Sequence, residues 1–163
     1  MKIKVCGITR EEDIAELLLA GVDFIGFNFI KSSPRYIDIN WAVNIINKYN
    51  IQKKAVPLCE ISDLKTVHHK LKNLDLPFYQ IYKVHDSSNQ IEKFNLNYFL
   101  PTSATKLKQN IDNNLFIGNK DKYLLDNFDH GLGGSGIKFN WNDLANIKLC
   151  LLYTSPSPRD LAV

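Results

Sequence analysis

The sequence predicts an α/β fold in which parallel β-strands alternate with α-helices in a (β/α)₈ barrel, also called a TIM barrel. Apolar runs of strand length alternate with segments of helical periodicity through most of the 163 residues. A single glycine follows the first predicted strand, whereas an open dinucleotide-binding sheet would place a Gly-x-Gly-x-x-Gly turn there. Polar or reactive residues follow several predicted strands, and barrel active sites are built at the carboxyl ends of strands.

The first two pairs of strand and helix have the clearest patterns. The β-rich run IKVCG predicts the first strand, and a helix follows it and ends at Gly21. Thr9 and Glu12 have the spacing of a capping box, so we expect Thr9 to cap this helix. The second strand is predicted over residues 23–30, and the second helix begins near Asn40.

The later units have weaker helical patterns. The third strand is predicted over residues 53–59, and a helix capped by Ser62 follows it. Further strands are predicted over four ranges, which are 78–84, 97–102, 122–126 and, as a candidate seventh strand, 147–152. We therefore predict an incomplete barrel of about six βα units plus the candidate seventh strand, in residues 1–152.

The last segment of the sequence differs in character from the predicted barrel. Residues 153–163, YTSPSPRDLAV, have no helical period and contain two Ser-Pro steps that disfavour regular structure. We interpret this segment as a non-native or disordered tail. Since a barrel closes when its last strand pairs with its first, we expect an incomplete barrel to leave the first strand as an edge and to lack activity.

Composition and cysteine usage narrow the classes of function. The formal net charge is +3, and the lysines are scattered without a basic stripe, which argues against a nucleic-acid partner. The sequence contains neither a membrane-length apolar run nor the apolar centre of a secretory signal. Cys6, Cys59 and Cys150 form no close pair and no metal-ligand spacing. We therefore expect a cytoplasmic protein without disulfides or a structural metal.

Each candidate site residue, taken alone, has an ordinary structural explanation. A cysteine such as Cys6 is usually a small core residue, and Cys59 and Cys150 lie inside apolar runs. Asp126 is typical of a loop after a strand, and Arg35 is typical of a solvated loop. The run GLGGSG is either a flexible loop or a phosphate cradle, because glycines let backbone N–H groups approach an anion.

Two long segments together resemble a known enzyme family. KVCGITREEDIAELLLAGVDFIGFNFIKSSPRYI resembles the N-terminal signature of phosphoribosylanthranilate isomerase, and LLDNFDHGLGGSGIKFNW is similar to a later segment of that family. The resemblance is strong over about residues 1–45 and 120–145. It implies a (β/α)₈ barrel that converts N-(5-phosphoribosyl)anthranilate to 1-(2-carboxyphenylamino)-1-deoxyribulose 5-phosphate, an Amadori rearrangement in tryptophan biosynthesis.

The resemblance also implies a role for individual residues. Cys6 would be the general base, Asp126 the general acid, and Arg35 the partner of the anthranilate carboxylate. Four loop residues would supply part of the phosphate site, namely Gly133, Gly134, Ser135 and Gly136. The reaction needs no metal or organic cofactor. The implied partner is a small phosphosugar, with neither nucleic acid nor membrane, and both a monomer and a homodimer stay open.

The match to the family has departures, and two alternatives stay open. Tyr82 and Lys83 occupy the positions where the family usually carries His and Gly, which leaves their contribution to the pocket undecided. Another phosphosugar-binding barrel enzyme would share the glycine loop without needing the pair of Cys6 and Asp126. An inactive fragment of the isomerase would share both features.

Overall fold

The computed structural model describes residues 3–82, 91, 93–112, 123–125 and 152–153. The chain divides into two compact units, Met1–Tyr98 and Phe99–Val163, and each is described by itself. No helix in the described ranges is long and apolar enough to cross a membrane.

The first unit contains a parallel sheet of four strands that lie side by side in chain order. Its strands and α-helices are β1 Lys4–Cys6, α1 Glu11–Leu19, β2 Phe24–Asn28, α2 Ile39–Lys48, β3 Ala55–Glu60, α3 Leu64–Leu71 and β4 Tyr79–Tyr82. Short 3₁₀ turns, Ile61–Asp63 and Lys72–Leu74, flank α3. Because successive parallel strands are joined through helices, this unit confirms the predicted βα repeat.

The core of the first unit is formed by apolar faces of the helices and by strands that are buried along most of their length. Ala42, Ile45 and Ile46 of α2 are buried, as the helical period of the sequence predicts. All four residues of β4 are buried, and so are the last four of β2. Strands buried on both faces are typical of parallel sheets covered by helices.

The second unit contains short parallel strands and one described helix. Its elements are β5 Tyr98–Thr102, whose first residue ends the first unit, α4 Ala104–Asp112, β6 Tyr123–Leu125 and β7 Leu152–Tyr153. Strand β6 pairs in parallel with both β5 and β7. The predicted strands over 97–102 and 122–126 are therefore confirmed for their described residues, and of the candidate seventh strand over 147–152 only Leu152 is described, in β7. Residues 154–163 of the predicted tail lie outside the described residues.

The predicted cap of α1 is wrong. Arg10, rather than Thr9, occupies the N-cap position, and no side chain caps the first turn, so the capping box with Glu12 does not form. Arg10 Nη2 instead lies 2.5 Å from Asp13 Oδ1. Three acidic residues in the first turn supply the negative charge that a helix N-terminus favours, which explains how α1 begins without a cap.

The predicted cap of α3 is also wrong. Ser62 lies inside the 3₁₀ turn that leads into α3, and Asp63 occupies the N-cap position. The backbone of Asp63 is already helical, at φ −96° and ψ −8°, whereas a capping residue needs an extended backbone. By contrast, Asp38 caps α2 close to the predicted start, since its carboxylate accepts hydrogen bonds from the backbone N–H groups of Asn40 and Trp41.

Candidate active site

Cys6 is the last residue of β1 and is partly exposed. Its register partner on β2 is Gly26, and a Cβ atom built on that glycine would lie 2.7 Å from Cys6 Sγ. Real Cβ atoms essentially never approach a neighbour so closely, and therefore any residue larger than glycine would displace the thiol. Gly26 thus provides the space that the Cys6 side chain occupies.

Gly7 turns the chain away from the end of β1. Its φ is +76°, a left-handed conformation that glycine adopts without steric cost, and its N–H donates to Gly26 O at 3.2 Å. A Cβ atom on Gly7 would overlap Arg35 Cδ, so the aliphatic stem of Arg35 lies directly against this backbone. Gly7 therefore follows one predicted site residue, Cys6, in the chain and contacts the stem of another, Arg35.

Hydrogen bonds to the end of β2 hold the loop that carries Arg35. Asn28 Oδ1 accepts from Ile30 N at 2.9 Å, and Asn28 Nδ2 donates to Ser33 Oγ at 3.0 Å. Ser33 Oγ also accepts from Arg35 N at 3.2 Å. Asn28 is not among the predicted site residues, although a lone amide inside the apolar run GFNFI is a signal that this side chain has polar partners.

A buried polar chain begins on β1, two residues before Cys6. Lys4 is 2% exposed, and its Nζ donates to Gln80 Oε1 on β4. Gln80 Nε2 in turn lies 2.5 Å from the hydroxyl of Tyr82. Lys4 and Cys6 point to the same face of β1 because side chains alternate along a strand. Tyr82, at the position where the family usually has His, therefore belongs to a series of hydrogen bonds that gives the buried Lys4 side chain an acceptor.

Cys59 on β3 lies in a very different environment. Its side chain is fully buried, and burial raises the pKa of its thiol to about 12, with further increases from the charges of Asp63 and Glu60. A thiol with this pKa stays neutral near pH 7. The prediction that Cys59 is a core residue is confirmed, and Cys150 lies outside the described residues.

Several predicted site residues also lie outside the described residues. They are the candidate acid Asp126, the family departure Lys83, and the loop residues Gly133, Gly134, Ser135 and Gly136. Their roles stay predictions. In the part of the chain that is described, no group of three or more His, Cys, Asp or Glu side chains is placed to hold a metal ion.

Comparison with known proteins identifies close sequence relatives. The tryptophan biosynthesis protein TrpCF of Buchnera aphidicola subsp. Baizongia pistaciae is 36% identical over 153 residues, which are 90% of this chain and 31% of that protein. The N-(5'-phosphoribosyl)anthranilate isomerase of Trichlorobacter lovleyi is 33% identical over 144 residues, which are 86% of this chain and 68% of that protein. The chain thus spans about a third of the first relative and about two thirds of the second.

A solved structure has a similar fold. The crystal structure of phosphoribosyl anthranilate isomerase from Thermotoga maritima is 21% identical and superposes with a TM-score of 0.65, over 88% of this chain and 70% of that chain. Together with the parallel βα units, this likeness confirms the predicted fold class, a (β/α)₈ barrel of which the described elements form part. The family model for N-(5'-phosphoribosyl)anthranilate (PRA) isomerase matches residues 3–152. The chain therefore belongs to the N-(5'-phosphoribosyl)anthranilate isomerase family.

Proposed function

We propose that this protein catalyses the Amadori rearrangement of N-(5-phosphoribosyl)anthranilate in tryptophan biosynthesis. The observation that carries the proposal is the placement of Cys6 and Arg35 at the same end of β1, against the Gly7 backbone. A thiol at this strand end, together with an arginine whose aliphatic stem packs against the next residue, fits a substrate that needs both a proton acceptor and a carboxylate partner. Family membership supports the same reaction.

The reaction requires two proton transfers. An acid protonates the ribose ring oxygen as the C1–O bond breaks, which gives an open-chain iminium ion. A base then removes the C2 proton, and the electron pair moves to form the enolamine, which becomes the aminoketone product. We assign the base to Cys6 as thiolate and the acid to Asp126. The partial exposure of Cys6 at a strand end supports its access to substrate.

Two further groups complete the proposed site. The planar guanidinium of Arg35 would bind the anthranilate carboxylate with two parallel hydrogen bonds. The backbone N–H groups of the loop Gly133–Gly136 would hold part of the phosphate. Acid and base catalysis by side chains accounts for the reaction without a cofactor. The partner is a small phosphosugar, and we place the reaction in the cytoplasm, which is the compartment that the unpaired cysteines favour.

Turnover measurements on matched cysteine variants test the proposal. In the full-length gene product that carries these residues, Cys6→Ala is expected to lower turnover of N-(5-phosphoribosyl)anthranilate by roughly 10²–10⁴-fold, the usual contribution of a positioned base. Asp126→Asn should have a similar effect. Cys59→Ala serves as the control, since it removes a buried thiol away from the proposed chemistry. Near wild-type turnover by Cys6→Ala would refute the role of this thiol.

A further inference from the structure

We propose that Asn28 and Ser33 are positioning residues, which hold the Arg35 guanidinium where it binds the anthranilate carboxylate. This inference rests on the proposed function and adds to it two side chains outside the reacting groups. Its structural basis is the hydrogen-bonded path from Asn28 through Ser33 Oγ to the backbone N–H of Arg35.

Asn28 lies where an apolar residue would be expected. It ends β2 between Phe27 and Phe29, which are 1% and 3% exposed, and it is itself only 9% exposed. Burial of an amide costs free energy unless its polar atoms have partners. Both ends of this amide have partners, and both partners belong to the loop that follows the strand. Asn28 therefore ties the loop to the rigid sheet.

Ser33 is the junction of this path. Its hydroxyl oxygen has two lone pairs, and it accepts one hydrogen bond from Asn28 Nδ2 and one from Arg35 N. These two bonds fix the backbone at the start of Arg35 relative to β2. A third bond, from Tyr36 N to the Ser33 carbonyl oxygen at 3.0 Å, closes the turn that contains Arg35.

The side chain of Arg35 is restrained from the opposite side. Its Cβ, Cγ and Cδ atoms lie against Gly7, whose backbone follows Cys6 directly. The guanidinium is therefore delivered by a backbone fixed to β2 and by a stem fixed to the end of β1. Misplacement of such a group by about 1 Å lowers the rate of a reaction that depends on its position by up to roughly 100-fold. Loss of the Ser33 hydroxyl should free the backbone half of this arrangement.

Ligand binding to three variants, two at Ser33 and one at Asn28, tests the inference. Two probes are used, the reaction product with its ketone reduced to an alcohol, and the same compound without the carboxylate. Ser33→Ala is expected to weaken the carboxylate-bearing probe by about tenfold, the value of about one hydrogen bond, and the other probe by less than twofold. Ser33→Thr keeps a hydroxyl and should restore binding. Asn28→Leu should show the same selective loss.

A double-mutant cycle separates positioning from a general loss of structure. In the Arg35→Ala background, Ser33→Ala should have no further effect on either probe, because the group that Ser33 positions is absent. Equal weakening of both probes, or a loss that persists without the arginine side chain, would overturn the inference.

Failure of the positioning role can be distinguished from failure of the proposed isomerase function. If the wild-type protein binds neither probe, the proposed isomerase function fails. Hydrogen exchange at Arg35 N–H then decides whether Ser33 holds this loop. Exchange that is about tenfold faster in Ser33→Ala and normal in Ser33→Thr supports the restraint. Identical exchange in all three proteins overturns it.

Discussion

The ends of β1 and β3 each carry a cysteine, yet the two thiols lie in opposite environments. Cys6 is partly exposed, whereas Cys59 is fully buried and its thiol has a pKa of about 12. The residue that follows each cysteine differs in kind. Gly7 turns the backbone away from Cys6, while Glu60 continues β3 and leads into a 3₁₀ turn. A position at the carboxyl end of a parallel strand is therefore not sufficient for a reactive site.

The difference also extends to the neighbouring strand. Beside Cys6, Gly26 leaves room for the sulfur atom because it has no side chain. Around Cys59 the neighbouring side chains exclude water, and the nearby charges of Asp63 and Glu60 further disfavour a thiolate. The glycine beside Cys6 and the full burial of Cys59 thus decide which of the two thiols is accessible to solvent.

The largest expected effect is a contrast in alkylation between the two cysteines. At pH 8, iodoacetamide should label Cys6 in the native protein and label Cys59 only after unfolding. A pKa of about 12 instead of 9.0 lowers the thiolate fraction of Cys59 by about 1,000-fold, and burial slows the reaction further. Peptide mapping by mass spectrometry measures each rate separately. Equal rates in the native protein would contradict the comparison.

A smaller effect is expected from the buried polar chain on the Cys6 face of β1. Gln80→Leu removes the acceptor of the Lys4 ammonium and should lower the free energy of unfolding by roughly 1–3 kcal/mol. The double variant Lys4→Met with Gln80→Leu should lose less than Gln80→Leu alone, because an apolar pair leaves no buried charge without its partner. Urea unfolding measures the free energy of unfolding of the single and the double variant. Tyr82→Phe, which removes the hydroxyl bonded to Gln80, should have a smaller effect. Additive losses would show that the two residues are not coupled.

Local patterns predicted the first unit well because strands and helices depend on nearby residues. The alternation of apolar runs and helical periods located β1, β2, β3 and β4, and the buried face of α2 follows its period. The predicted caps at Thr9 and Ser62 were wrong because of the backbone conformation at the start of each helix. At α1 the extended residue just before the helix is Arg10, one position after Thr9, and at α3 the backbone of Asp63 is already helical, so residue identity alone does not determine where a cap can form.

The parts of the site that the sequence could not predict depend on contacts between distant segments. Lys4 and Gln80 are on different strands, and no pattern within either strand indicates their hydrogen bond. The contact of Arg35 with Gly7 likewise appears only when the loops after β1 and β2 meet. Resemblance to the family named Cys6 and Arg35 as site residues, but only the fold brings them together.

The smallest expected effect concerns a surface contact in which Glu11, in the first turn of α1, meets the end of α2. Hydrogen bonds from Lys48 and then from the hydroxyl of Tyr49, at 3.0 Å, lower the pKa of the Glu11 carboxyl. A carboxyl whose pKa is lowered by folding stabilises the protein above its ordinary pKa of 4.5, and this stabilisation is lost as the pH falls through the lower value. The hydrogen bond to Glu11 also raises the pKa of Lys48 above its ordinary 10.5. The stabilisation that comes from the charged lysine is therefore lost as the pH rises through this raised pKa. The contact therefore contributes most between about pH 4.5 and 10.5.

Glu11→Gln tests this contact between α1 and the end of α2. At pH 7 the variant should unfold at a temperature lower by at most a few degrees, since exposed ion pairs contribute little. At a pH below the lowered pKa of this carboxyl the difference should disappear, because the wild-type carboxyl is then protonated and no longer pairs with Lys48. Thermal unfolding followed by circular dichroism at both pH values measures the change. A difference that stays the same at low pH would mean that Glu11 stabilises this surface by packing rather than by its charge.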